Sequence, residues 1–224
     1  MNTVVVSVGG SIVVSDEPNI DYLKHLTALF NRLSQHFKLF VVVGGGKIAR
    51  QYIALGRDLG LDEDRLDQLG IDVTRVNARA IAYLLGTSNI EIPHTTDDVI
   101  RLKNPVVVMG GTDPKHSTDT VGAEIAEKTH AARFVNATNV DGIYDKDPNK
   151  FPDAKQLKEV SIDQLIAQYG TKWGSAGKNI FMDEPALAII KRAKIPTFVV
   201  NGKRLDQLEC AIRGQPFDGT RILV

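Results

Sequence analysis

The chain has 224 residues, 43% hydrophobic, 24% charged and 6% aromatic, which fits a folded globular protein of one large domain or two small ones and excludes disordered, collagen-like and membrane-barrel classes. Twenty-seven Lys plus Arg balance twenty-seven Asp plus Glu, so no global positive field exists to hold a nucleic acid or an anionic membrane, and neither is expected as a partner. The single cysteine, Cys210, excludes an internal disulfide and multi-cysteine metal sites, and suits a reducing compartment. The N-terminus MNTVVVSVGG lacks the basic start and longer apolar stretch of a signal peptide, and no apolar run is long enough to span a bilayer. A cytoplasmic location is expected.

Short apolar, β-branched runs that end in glycine and lead into helically spaced segments predict βα units around a buried parallel sheet. Thr3 to Val8 reads as the first strand, followed by a helix that carries Ile20, Leu23, Leu26, Phe30 and Leu33 on one face. Leu39 to Val43 is a second strand, with Lys47 to Leu55 its helix. Leu66, Leu69, Val73, Val76, Ala80 and Leu84 recur every three to four residues, which predicts a long helix from about Asp64 to Leu85. Asn89 to Pro93 is a short edge strand, Val106 to Met109 a third buried strand, and Asp119 to Ala131 its helix. A fourth strand, Arg133 to Ala137, opens into turn chemistry around Asp145 to Pro148. Helices follow from Ser161 through Tyr169 and from Asp183 through Lys194, each opened by a capping oxygen. Pro196 to Val200 is a strand, Arg204 to Arg213 a helix and Gly219 to Val224 a terminal strand. No repeat or linker interrupts the chain, so residues 1–224 form one domain, with a soft division near Val140 to Phe151 between two halves on one sheet.

Three strands end in glycine: Gly9 and Gly10, Gly44 to Gly46, and Gly110 and Gly111. Ligands of open α/β sheets bind beyond the carboxyl ends of the strands. Glycine there lets peptide N–H groups approach an anion, and the next helix adds its positive end, so phosphate is the expected guest. No G-x-x-x-x-G-K-[ST] occurs and no G-x-G-x-x-G follows a strand, which leaves a P-loop and a dinucleotide fold without support. Lys47 and Arg50 fall in the first turn after the triple glycine, three residues apart and therefore on one face; cations there oppose the helix dipole, which points to an anionic partner. Thr138, Asn139, Asp141, Tyr144 and Asp147 cluster just after the fourth strand, as turn formers or as groups that orient phosphates, a base or a metal ion. Asp113, His116, Ser117, Thr118 and Asp119 follow the third strand, and Thr118 or Asp119 equally suits a helix cap. His25 and His36 have no second ligand one helical turn away, and Cys210 reads as packing.

Six blocks in register, VGGS, VVVGGGKIAR, LDQLGIDVTRVNA, MGGTDPKHSTD, ATNVDGIYDKDP and the pair AGKNIFMD and IPTFVVNG, resemble the amino acid kinase superfamily and, within it, the archaeal branch of the UMP kinases. The resemblance spans essentially the whole chain. It implies a three-layer αβα sandwich with a mainly parallel central sheet, and transfer of the γ-phosphoryl group of ATP to UMP, giving UDP and ADP in pyrimidine biosynthesis. By position it implies that Gly44 and Asp67 touch UMP and that Asp113, Pro114, Lys115, His116, Ser117, Thr118 and Asp119 wrap its uracil and ribose. Gly9, Gly10, Ser11 and Gly45 would cradle the transferring phosphates and Arg50 would neutralise their charge. Thr138, Asn139, Tyr144 and Asp147 would form the ATP side, and Asp141 would organise the transfer centre. An acceptor half of about 1–140 and an ATP half of about 141–224 follow. Mg²⁺ is expected on the nucleotide rather than in a protein metal site, and homo-oligomers, commonly hexamers, and UTP inhibition are family expectations.

Many superfamily members place a lysine on the first strand to meet the transferred phosphoryl group; here that position is Ser7. Lys47 is the first candidate for the missing cation and Lys178 the second. Sibling kinases that make acylphosphates, or that phosphorylate isopentenyl phosphate, share the glycine loops; the histidine that the latter carry after the triple glycine is absent from Lys47-Ile48-Ala49-Arg50. A nucleotide-binding regulatory or storage protein of the same fold is the reading from outside the enzymes.

Overall fold

The strand assigned to the N-terminus is buried on both faces, as a run of valines with no polar alternation requires. In the structure, a computed structural model that describes residues 1–15, 19–146, 148, 150–169 and 182–224, β1 (Asn2–Val8) lies near the middle of a seven-stranded sheet. Val4, Val6 and Val8 point to one side and Val5 to the other, the period of two of an extended chain.

The element order is β1, α1 (Gly10–Val13), α2 (Ile20–Leu33), β2 (Phe37–Val43), α3 (Gly46–Asp58), α4 (Glu63–Leu85), α5 (Thr96–Arg101), β3 (Val106–Met109), α6 (Thr118–Lys128) and β4 (Arg133–Thr138). It continues with β5 (Ile143–Tyr144), β6 (Gln156–Leu157), β7 (Glu159–Ser161), α7 (Ile162–Tyr169), α8 (Glu184–Ala193), β8 (Thr197–Asn201), α9 (Leu205–Arg213) and β9 (Gly219–Leu223). The sheet runs β3-β2-β1-β4-β8-β9-β7, parallel throughout except for the β8–β9 pair. One apolar core packs α2, α4 and α9 on one face, around Leu26, Phe30, Ile81 and Leu208. The other packs α6, α7 and α8 on the opposite face, around Ile125, Leu165 and Leu187. This is the αβα sandwich.

Four expectations are corrected. Residues 89–93 form no strand: Asn89, buried, instead donates its amide to the Val108 carbonyl at 2.8 Å and accepts from the Val108 N–H at 2.7 Å, so one side chain makes both bonds that an edge strand would offer to β3. On α4 the core-facing side chains are Leu66, Ile71, Ala78, Ile81, Ala82 and Leu85, whereas Val76 and Leu84 of the expected stripe are 69% and 51% exposed. The helix has two apolar faces, and periodicity does not say which one meets the core. Neither Thr118 nor Asp119 caps α6; the Ser117 hydroxyl accepts from the N–H groups of Asp119 and Thr120. Asp183 occupies the cap position of α8, but its carboxylate makes no capping bond there. Ser161 does accept from the Asp163 N–H, at 3.2 Å. The helices α1 and α5, the β5–β6 hairpin and β7 are additions to the expected set; Thr95, whose hydroxyl accepts from the Asp98 N–H, was the legible sign of α5.

Candidate active site at the carboxyl edge of the sheet

Because β1, β2, β3, β4 and β8 run parallel, all their carboxyl ends meet one edge, and the glycine loops meet with them. Gly44 N–H bonds the Val8 carbonyl at 2.9 Å and Gly9 N–H the Ala137 carbonyl at 3.0 Å, so the loops continue the sheet pairing past its last strand residues. A Cβ on Gly10 would stand 2.2 Å from the Gly46 nitrogen and 2.4 Å from the Gly44 oxygen. The two backbones therefore touch, which only glycine permits. Gly46 itself has φ +64° and turns the chain into α3, whose first turn carries no acidic residue and no side-chain cap. Its first-turn N–H groups, exposed Lys47 and half-buried Arg50 thus form one electropositive end. Ser11 lies opposite, in the first turn of α1.

The middle of α4 fastens the loops. Asn77 Nδ2 donates to the Gly44 carbonyl at 2.9 Å, the Thr74 hydroxyl accepts from Gly111 N–H at 2.7 Å, and the Arg75 guanidinium holds the carbonyls of Gly111 and Thr112 at 3.2 and 2.9 Å. Asp67, two turns before Thr74, accepts from the Lys115 N–H at 2.8 Å, and Lys115, at φ +70°, reaches Asp64 at 3.3 Å. The structure thus brings Asp67 and the 113–119 segment together across 48 residues. Asp113, Lys115 and His116 are exposed and Pro114, Ser117 and Thr118 half-buried; His116 faces Glu124 at 3.7 Å.

Asp119 turns away from the rest of that segment, inward to the sheet. Ser7 Oγ donates to its Oδ1 at 2.8 Å, and Asn136, the register partner of Ser7 on β4, bonds the same carboxyl. Burial, reinforced by the charge of Asp183, pushes the Asp119 carboxyl up to about 7 against the opposing hydrogen bonds of Ser7 and Asn136.

At the other end of the edge, the Thr138 hydroxyl donates to Asn139 Oδ1 at 3.4 Å. Asp141 Oδ1 accepts from Asn201 Nδ2 at 3.0 Å and stands 4.0 Å from Arg204, while the Asp141 carbonyl accepts from Gln156 at 2.7 Å. Arg204 and Lys158 both pair with Asp218, at 2.6 and 2.5 Å, and hold its carboxyl below the usual carboxylate range. Tyr144 lies beside this group; partial burial, then the charges of Asp141 and Asp218, push its phenol up. Asn201, Arg204 and Asp218 were not singled out in the sequence as site residues, nor were Thr74, Arg75, Asn77 and Asn136, and Asp183 was read only as a helix cap. The Asn201-Gly202 pair after β8 was the one local signal available. Asp147 and Lys178 lie outside the described residues.

The model of the amino acid kinase family matches residues 2–201. The chain belongs to that family. It is 40% identical over 223 residues to the uridylate kinase of Methanobrevibacter smithii, covering 98% of each chain, and 39% identical over 214 residues to that of Thermoplasma acidophilum, covering 95% of this chain and 93% of the other. The crystal structure of the uridylate kinase from Archaeoglobus fulgidus superposes with a TM-score of 0.87 at 37% identity, over 99% of this chain and 100% of that one. The UMP kinase of Bacillus anthracis, 20% identical with a TM-score of 0.79 over 99% of this chain and 96% of that one, shares the fold. In this amino acid kinase the paired glycine loops, α4 and the α6 N-terminus form one continuous wall along the strand ends.

Proposed function

We propose that this amino acid kinase transfers the γ-phosphoryl group of ATP to UMP, giving UDP and ADP in pyrimidine nucleotide synthesis. The observation that carries the reading is the backbone contact between Gly10 and Gly44 to Gly46, which leaves a side-chain-free cradle beside the Asp67–Lys115 junction. UMP lies against Gly44, Asp67 and residues 113–118, within an acceptor half of about 1–140, while Asp119, turned inward to Ser7, is not among the groups that face it. The phosphates meet the N–H groups of Gly9, Gly10, Ser11 and Gly45. Arg50 and Lys47 offset their charge. ATP extends over Thr138, Asn139, Tyr144 and Asp147, in a donor half of about 141–224, with Asp141 held in place by Asn201.

Phosphoryl transfer asks mainly for alignment and for positive charge around the equatorial oxygens, and a phosphate acceptor needs no general base. The cradle supplies the first and the α3 terminus much of the second. Mg²⁺ bound with the nucleotide supplies further charge neutralisation, and the site's hard oxygen donors, Asp119 among them, suit such an ion.

The exposed stripe of Val76 and Leu84 on α4, with Tyr52 and Leu55 exposed on the packed helix α3, supports assembly with further copies of the chain, a hexamer by family precedent, since an apolar surface of this kind marks an interaction site. Val76→Glu is expected to reduce the assembly to smaller species in sedimentation velocity; an unchanged boundary would place the interface elsewhere. No helix among the described residues is long and apolar enough to cross a membrane, and we assign the enzyme to the cytoplasm, with UTP as an inhibitor that shares the UMP groups.

The test is ADP release from Mg·ATP with UMP, CMP, dUMP, isopentenyl phosphate, carbamate and acetylglutamate as separate acceptors. Turnover with UMP is expected to exceed that with the non-nucleotide acceptors by at least about a hundredfold, because a site built on hydrogen bonds rejects ligands that leave its groups unpaired. Tight ATP or UTP binding without turnover on any acceptor would make the chain a regulatory or storage protein.

A further inference from the structure

Two carboxylates converge beneath the first glycine loop. Asp119 is held by Ser7, two residues before Gly9, and by Asn136. Asp183, only 6% exposed, forgoes the cap of its own helix, although such a bond stabilises a helix by about 1 kcal/mol. Its Oδ2 instead accepts from the Thr120 hydroxyl at 2.6 Å and the Ser117 N–H at 3.4 Å, which pulls the start of α8 onto the start of α6. Its Oδ1 is buried with no hydrogen-bond partner.

Among the described residues, each group that bonds either carboxylate is a neutral hydroxyl, amide or peptide N–H. Two carboxyls set close together repel, as the upward push of Asp183 on Asp119 records, and the buried charge of Asp183 is tolerated where it is paired or binds a cation. An unpaired carboxylate oxygen, a second carboxylate and hydroxyls of Ser7 and Thr120 alongside make an oxygen-only donor set, the preference of hard cations. No group of three or more metal-ligating side chains is assembled among the described residues; Mg²⁺ requires only one or two carboxylates, since it keeps water and takes phosphate oxygens for the rest of its shell.

We propose that Asp119 and Asp183 are protein ligands for a hard divalent cation of the Mg²⁺ class, bound through the buried, unpartnered Oδ1 of Asp183 beneath the Gly9–Gly10 turn. The placement beside the phosphates rests on the kinase reading; the binding itself does not. It would set positive charge at the strand end where Ser7 contributes none.

The test is titration of the metal-stripped, nucleotide-free chain with Mn²⁺, free ion being read by electron paramagnetic resonance, with Mg²⁺ as competitor. Wild type is expected to bind one Mn²⁺ per chain that Mg²⁺ displaces. Asp183→Asn, which keeps the shape and removes the charge, is expected to weaken that binding by more than the roughly tenfold to hundredfold that loss of an outer partner brings. Asp119→Asn carries the same readout should the first variant fail to fold. Absence of saturable binding to wild type, or equal binding in folded Asp183→Asn, would overturn the proposal. Mn²⁺ binding without phosphoryl transfer to any acceptor would leave the cation site standing and remove the kinase reading instead.

Discussion

Gly10→Ala is expected to lower kcat/KM for UMP phosphorylation by about a hundredfold or more, the scale of rate loss produced by an ångström of misplacement at a reacting centre. The added methyl group would stand 2.2 Å from the Gly46 nitrogen and 2.5 Å from the Gly45 carbonyl carbon, and these are main-chain atoms that no rotamer change can move. Gly44 is in turn tied to Val8 and to Asn77, so relief must come by parting the two loops, which widens the phosphate cradle. Overpacking of this kind destabilises by about 1–3 kcal/mol, a loss that thermal denaturation reads separately from steady-state kinetics. A variant with more than half the wild-type kcat/KM would show that the touching loops do not position the phosphates.

Lys47→Ala is expected to lower kcat by roughly a hundredfold to a thousandfold, the usual consequence of removing one group that meets developing charge, with KM for both nucleotides within a fewfold of wild type. The residue sits in the first turn of α3, directly after Gly46, exposed at the strand edge. Ser7, which stands where many family members carry a lysine, is neutral, and its hydroxyl is engaged by Asp119. On the proposed reading, the α3 terminus is the place among the described residues from which a side-chain ammonium would reach the phosphates. Steady-state kinetics with each nucleotide varied decides it: a rise confined to KM assigns Lys47 to ground-state binding, and a near-normal kcat with normal KM removes it from the site.

Strands β1, β2, β3, β4 and β8 were legible because a parallel sheet buried on both faces demands unbroken apolar runs, and Val4 to Val6 or Val41 to Val43 have no other common use. The glycine loops were legible for an equally local reason, since doubled and tripled glycines at strand ends serve close backbone approach. Asn89 was misread because a side chain that imitates a strand edge leaves no periodic trace. The α4 stripe was misread because Val76 and Leu84 have the spacing of core residues while facing outward. Arg204 and Asp218 went unnoticed because each looks like a surface charge until Lys158 and Asp141 are brought beside them.

Local order along the chain thus determined the fold class, the position of the glycine loops and the absence of a P-loop, all of which depend on residues within a few positions of one another. The family resemblance carried the acceptor and donor segments as far as naming them. That Asp67 meets Lys115, that Ser7 meets Asp119 across 112 residues, and that Asp183 leaves its own helix for Thr120 were decided by packing α6 and α8 against one face of the sheet and α4 against the other. Hydrogen bonds between distant residues have no spacing rule in a sequence. Their partners are chosen by which elements the hydrophobic core forces together, and by the need of each buried polar group to find whatever donor that packing leaves within reach.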